Sequence, residues 1–356
     1  MPTHEHLTVA SSHGRARSLV VLGGTGFFGK SILDYFRRDL LAPWGIERVI
    51  AAARNPDSLR TNHPELIGPG VELLALDVAT TQQLPGADYL IHAANTSDAR
   101  AYADDPGRER AAILAAADNF VDRARIDCPD ARIVYASSGA VYGAQPAAVI
   151  GLDESASLAA AGDLVAYKRD YAEAKRLAES TIAGLGSDDG MRVAVARCFA
   201  FVGPYLPRDQ HFAIGNFLAD GMARRPITVN ARNPVIRSYM HADDLVRWLM
   251  TIADHAAPDC PVYNVGSDEG IDVADLARRM AGRFDVPALI PVQTSIPVDR
   301  YVPSIARAAQ ELGLAIDLDL DRALDMTIAR LASDALVRSG NPAMRFDQPA
   351  AASSPC

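Results

Sequence analysis

Lysine is almost missing from this 356-residue chain: Lys30, Lys168 and Lys175 are the only three, although Lys and Arg together number 35. Cysteine is scarce too. Cys128, Cys198, Cys260 and Cys356 stand far apart with no CxxC pair, so neither a zinc site nor a disulfide framework is expected, and reduced cytoplasmic thiols are the simplest reading. No apolar run approaches the length of a membrane span. There is no long basic stretch, and the net charge is −9. Nucleic acid and anionic membrane surfaces are therefore poor partners, although a local basic pocket for a phosphorylated ligand stays open. Residues 1–17 lack the apolar core of a signal peptide and read as a mobile tail. The Pro-, Ala- and Ser-rich end, 336–356, reads the same way.

What is present is the composition of an ordinary globular protein, 49% hydrophobic and 22% charged. Short apolar runs at Leu19–Leu22, Arg48–Ala53, Val71–Leu76, Tyr89–His92, Arg132–Ala136 and Val193–Ala196 alternate with helical patterns at Gly26–Leu40 and Arg108–Arg125. That rhythm predicts an α/β fold, a doubly wound parallel sheet of Rossmann type spanning 18–200. Residues 201–335 lose the rhythm, with Pro204, Pro207, Pro226 and Pro234 in its first part. They read as a smaller α/β lobe for substrate, with helices at Phe212–Arg224, Val273–Phe284 and Leu320–Leu331. A return to the first lobe is expected over about 236–265, with a helix at Ala242–Ala253 and a strand at Pro261–Val265.

Gly23, Gly26 and Gly29 sit between the first strand and the first helix. A tight turn needs φ freedom at the first, a diphosphate needs close backbone approach at the second, and helix–strand packing needs a small third residue. The helix start then offers free N–H groups to phosphate. The second strand ends Ala51-Ala52-Ala53-Arg54, with no acid to take a ribose 2′-hydroxyl. Arg54 could instead clamp a 2′-phosphate, which favours NADP(H) over NAD(H); an exposed loop arginine is the plainer reading. Asp77, ending the third strand, could accept from an adenine amino group or simply close a turn.

Tyr171 and Lys175 stand one helical turn apart in AYKRDYAEAKRLAES. A phenol near pKa 10 holds its proton at neutral pH. An adjacent ammonium is expected to favour the phenolate and make Tyr171 a working base, with surface contacts between i and i+4 as the alternative.

Taken in order, GGTGFFG at 23–29, LDV at 76–78, IHAAN at 91–95, SSGAVYG at 137–143, YAEAK at 171–175, RCFAFVGP at 197–204, RSYMHADDL at 237–245 and YNVGS at 263–267 resemble the extended short-chain dehydrogenase/reductases that modify nucleotide sugars. The resemblance covers about Ser18 to Leu331. It implies that Tyr171 is the catalytic tyrosine and that Lys175 also holds the nicotinamide ribose. It implies that Ser138 hydrogen-bonds the reacting oxygen, with Ser137 as structural support. Thr25, Phe27, Phe28, Val78, Ala93 and Ala94 would join the glycines, Arg54 and Asp77 around the cofactor. Arg237 would hold the substrate diphosphate, with Arg300 and His211 as further substrate contacts. A homodimer through Arg108–Arg125 and the helix bearing Tyr171 is also implied.

Two departures narrow the chemistry. Dehydratases of this family carry an acid pair where this chain has Gly139 and Ala140, and the decarboxylases carry a glutamate in that segment. Ala200 replaces a ligand-touching asparagine, and Ala231-Arg232-Asn233 replaces a Gly-Asp-Gly turn. The implied reaction is therefore epimerisation at C4 through a transient keto-sugar, or an NADPH-dependent ketoreduction using the same Ser138, Tyr171 and Lys175. Dehydration, decarboxylation and a non-catalytic nucleotide sensor are less favoured.

Overall fold

The computed structural model describes residues 16–94, 100, 104–158, 166–210 and 212–339. Seven strands form one sheet: β1 (Arg17–Leu22), β2 (Ile46–Ala53), β3 (Val71–Ala75), β4 (Tyr89–His92), β5 (Arg132–Ser138), β6 (Arg192–Cys198) and β7 (Val262–Val265). Their order is β7-β6-β5-β4-β1-β2-β3, and every neighbouring pair is parallel. The main helices are α1 (Phe27–Arg37), α2 (Pro106–Asp127), α3 (Ala166–Ser187), α4 (Ala213–Met222), α5 (Ala242–Asp254), α6 (Val273–Phe284), α7 (Ala306–Leu312) and α8 (Leu320–Ser339).

Alternation along β1 explains the layers. Leu19 and Val21 enter one apolar cluster with α1 and α5, whereas Val20 and Leu22 enter another with α2 and α3. Both faces of the sheet are thus covered, as near-continuous apolar strands require. The strand order reverses between β1 and β4, which opens a crevice beyond their carboxyl ends. The residues that follow β1, β2, β4 and β5 all reach that edge.

A third cluster lies apart from the sheet, where α4, α6 and α8 pack Phe217, Leu218, Leu276, Met280, Phe284 and Leu324 together. Between the two regions the chain crosses more than once. The first return is α5 followed by β7, and it starts later than residue 236. Val235–Arg237 instead joins a small sheet with Ile271–Asp272 and Asp299–Tyr301. A second return runs through α7, where Ala308 and Leu314 enter the α1/α5 cluster. The Trp248 indole N–H locks it by donating to Ala315 O at 3.2 Å.

The ends differ slightly from expectation. Arg17 is already paired in β1, its N–H donating to Gly45 O. Helix α8 extends to Ser339, past the expected boundary at 336.

Trp248 is fully buried at the joint between α5 and this return. Trp248→Ala is expected to cost about 3–5 kcal/mol of stability, read by urea denaturation. A loss under 1 kcal/mol would mean the joint is not part of the cooperative core.

Candidate active site

The turn after β1 is shaped by glycines. Gly23 has φ +93°, and a Cβ there would lie 2.6 Å from Ala93 O. A Cβ at Gly29 would lie 2.4 Å from Gly24 O, so the start of α1 can press directly on the turn. Gly24 is equally constrained, its would-be Cβ 2.7 Å from that of Ala51; a reading of the motif at positions 23, 26 and 29 passes over it. Gly23 and Gly24 donate to Ala52 O at 2.9 and 3.0 Å, tying the turn to β2. Gly26, exposed at the N-cap of α1, has only Gly23 O near its missing side chain, and no side chain caps the helix. The open cradle with free N–H groups at a helix start suits a dinucleotide diphosphate.

Around this cradle the other expected residues fall on one edge. Thr25 lies within the turn, and the rings of Phe27 and Phe28 pack against Phe201, with centroids 6.2 and 5.3 Å away. Arg54 is exposed just past β2 and forms no ion pair with a described residue. Asp77 accepts from Ala79 N at 3.0 Å, and Val78 is buried behind it. Asn119 of α2, which no motif marks, donates to Val78 O and Thr81 O at 2.8 and 3.0 Å and holds that turn. Ala93 and Ala94 follow β4, Ala93 N donating to Leu22 O.

The proton-transfer end lies past β5 and β6. Ser138 is the last residue of β5, opposite Cys198 in register. Its Oγ accepts from Ala140 N at 3.2 Å and bears on Tyr171, easing ionisation of that phenol. Lys175, one turn later on α3, is buried; its ammonium donates to Tyr135 OH at 3.2 Å and Ala136 O at 3.0 Å. It also sits 4.8 Å from the centre of the Tyr135 ring. The expected effect of Lys175 on Tyr171 is not realised in the free protein. Burial pushes the phenol up to about 12, and Ser138 alone draws it back. The ammonium is engaged by Tyr135 and Ala136 instead, and burial brings Lys175 down to about 8.

The neighbouring segment is held rigidly. Arg197 of β6 grips Glu179 of α3 through three contacts of 2.8–3.2 Å and lies 4.9 Å from the Tyr142 ring centre. Tyr142 donates to Asn264 Oδ1 at 2.7 Å, and Arg176 donates to Val141 O at 2.7 Å. Positions 139 and 140 have no carboxylate, and the space is filled otherwise. A Cβ at Gly139 would be 2.6 Å from the Phe199 ring. Ser137 Oγ and both ring nitrogens of His92 are buried without hydrogen-bond partners among the described residues. Burial, with Lys175 nearby, brings His92 down to about 3, so that ring is neutral.

The substrate side is less uniform. Arg237 is taken up by Asp299, Nη1 donating to its carbonyl and Nη2 to its carboxylate, both at 2.9 Å. Arg300, on the adjacent strand, has a buried Nε with no partner among the described residues. His211 lies outside the described residues. Tyr301, which sequence reading passed over in favour of Arg300, brings its hydroxyl to 3.5 Å from Ser138 Oγ. Only its neighbour Arg300 hinted at it; the contact spans 163 positions.

The model of the NAD dependent epimerase/dehydratase family matches residues 19–266, which contain the glycine turn, Ser138, Tyr171 and Lys175. The chain belongs to that family. Among curated members it is similar to UDP-glucuronic acid decarboxylase 1 of Arabidopsis thaliana, 25% identical over 328 residues, covering 89% of this chain and 70% of that protein. UDP-glucuronic acid decarboxylase 5 of the same plant is 24% identical over 303 residues and covers 83% of each chain. Among solved structures it resembles a UDP-glucose 4-epimerase of Thermotoga maritima at TM-score 0.71 and 17% identity, covering 90% of this chain and 99% of that one. A dTDP-glucose 4,6-dehydratase of Streptomyces venezuelae with bound NAD gives TM-score 0.72 and 18% identity, covering 90% and 98%. These proteins carry the names of three different reactions, and the two solved structures share this fold.

Lys175 gives a test that needs no substrate. Its folded pKa lies below the ordinary 10.5, so the folded state holds that proton less tightly than the unfolded one. The resulting penalty is present in full below about pH 8 and fades as pH rises toward 10.5. Relative to Lys175→Met, the parent protein is expected to gain roughly 2–3 kcal/mol across that window, measured by urea unfolding at several pH values. Parallel pH curves for the two proteins would show that the ammonium is not desolvated.

Proposed function

We propose that the protein is an NAD(P)-dependent nucleotide-sugar epimerase acting at C4 through a transient keto-sugar. The observation that carries this reading is a site furnished with hydroxyls and one ammonium, in which Gly139 packs under the Phe199 ring and neither position 139 nor 140 bears a carboxylate. A bound nicotinamide would supply the hydride acceptor and donor. The chain supplies the rest. Tyr171 takes the hydroxyl proton as the sugar carbon is oxidised and returns one when the carbonyl is reduced. Ser138 donates to the reacting oxygen and stabilises its partial charge. Lys175 keeps a positive charge beside the crevice, and the Gly23–Gly29 turn leaves backbone N–H groups for the diphosphate.

With no carboxylate at 139 or 140, elimination of water lacks its acid and base, and the keto-sugar has only to be reduced again. Arg237 is the candidate for the nucleotide diphosphate, once Asp299 yields it, with Arg300 and His211 nearby in sequence or on the same strand pair. Arg54, exposed at the end of β2 and without an ion pair among the described residues, favours NADP(H), and the same feature supports an NADPH-dependent ketoreductase. A third reading, loss of carbon dioxide from a nucleotide uronic acid, is supported by the likeness to the plant decarboxylases. It starts with the same oxidation, and a β-keto acid can release carbon dioxide without a second protein acid.

The assay separates these readings. Incubated with UDP-hexoses and no added reductant, the protein is expected to interconvert C4 epimers. Stoichiometric NADPH consumption with a keto-sugar, or carbon dioxide from UDP-glucuronic acid without epimer formation, would overturn the epimerase reading. Tyr171→Phe is expected to lower kcat by about 10²–10⁴-fold while cofactor binding is kept; retained turnover would remove Tyr171 from its role. Arg54→Ala is expected to weaken NADP(H) about tenfold or more relative to NAD(H) in a binding titration. Equal losses for both cofactors would contradict its assignment.

A further inference from the structure

Tyr301 ends the strand Asp299–Tyr301 and lies opposite Arg237 in register. Its ring packs on Phe199 with centroids 4.6 Å apart and planes 34° apart. Its hydroxyl donates to Cys198 O at 3.3 Å and stands 3.5 Å from Ser138 Oγ. A hydroxyl has one hydrogen and two acceptor lone pairs. With its hydrogen given to Cys198, the Tyr301 oxygen can only accept from Ser138. Ser138 Oγ already accepts from Ala140 N, and its single hydrogen can point to Tyr301 or to Tyr171 but not to both.

We propose that Tyr301 is a positioning residue that competes with Tyr171 for the one hydroxyl hydrogen of Ser138 and thereby sets how readily Tyr171 ionises. The inference rests on the reading of Ser138 and Tyr171 as the proton-transfer pair. At 3.5 Å the Tyr301 contact is long, so it biases the Ser138 rotor and does not lock it. Donation from Ser138 to Tyr171 favours the phenolate, and diverting that hydrogen keeps the phenol protonated. The other groups nearby are Cys198 on β6, which bears on both phenols, Arg237 on the small sheet, which bears on Tyr301, and Lys175 with its neighbour Glu179 on α3, of which Lys175 bears on Cys198. Removing the Tyr301 hydroxyl leaves all four in the chain.

The test reads Tyr171 directly. A ring-fluorinated tyrosine, whose phenol ionises at lower pH than tyrosine, is placed at position 171 of the full-length protein and titrated by fluorine NMR. Tyr301→Phe keeps the ring on Phe199, and Tyr301→Leu removes ring and hydroxyl together. Both are expected to lower the midpoint of residue 171 by about half to one pH unit, the size of one ordinary hydrogen bond. In a Ser138→Ala background, Tyr301→Phe is expected to leave the midpoint unchanged. An unchanged or raised midpoint in both Tyr301 variants would overturn the proposal, as would the same shift without Ser138. No turnover is needed, so a parent protein inactive on every nucleotide sugar would sink the proposed reaction without moving these midpoints.

Discussion

Burial of Lys175 is the constraint around which this site is built. An ammonium removed from water must be given partners, and this one receives the Tyr135 hydroxyl, the Ala136 carbonyl and the face of the Tyr135 ring. Those partners are at the end of β5, so α3 must lie across that strand at a fixed height. Tyr171, one turn earlier on the same helix and half-buried, is then delivered to the side of Ser138. The Glu179–Arg197 pair repeats the same device one turn further on, tying α3 to β6. Three elements are thus held in register by charges that tolerate little displacement.

What this scaffold leaves out is as informative as what it holds. The ring of Phe199 lies against Gly139, so the space beside that backbone is occupied by an apolar side chain. A site with hydroxyls, one ammonium and no carboxylate at that point can move a proton on and off a single oxygen. Among the described residues, no carboxylate stands at positions 139 and 140 to take a second proton.

Much of this was legible in the sequence where the chemistry is local. The glycine turn, Ser138 before VYG, and the Tyr171–Lys175 spacing each lie within one turn or one helix, and the βαβ rhythm gave the parallel sheet. Contacts made across the fold were not legible. Gly24 is constrained by Ala51 of β2, Asn119 reaches a turn some forty positions away, and Tyr301 arrives from a strand no motif marks. Arg237 is singled out by its motif, while its engagement by Asp299 is visible only in the folded chain. Lys175 and Tyr171 share one helix as their spacing implies, while the hydrogen bonds of Lys175 go to β5: i,i+4 spacing puts two residues on one face, but their partners depend on the strand beneath.

A C4-deuterated nucleotide sugar tests the central claim most directly, because it follows the hydrogen itself. If the carbon is oxidised and reduced within one site, the epimeric product keeps its deuterium at C4 in ordinary water, with no net change in cofactor. Deuterium found at C6, or passed to added cofactor in proportion to product, would show that the keto-sugar is processed differently and would contradict the account.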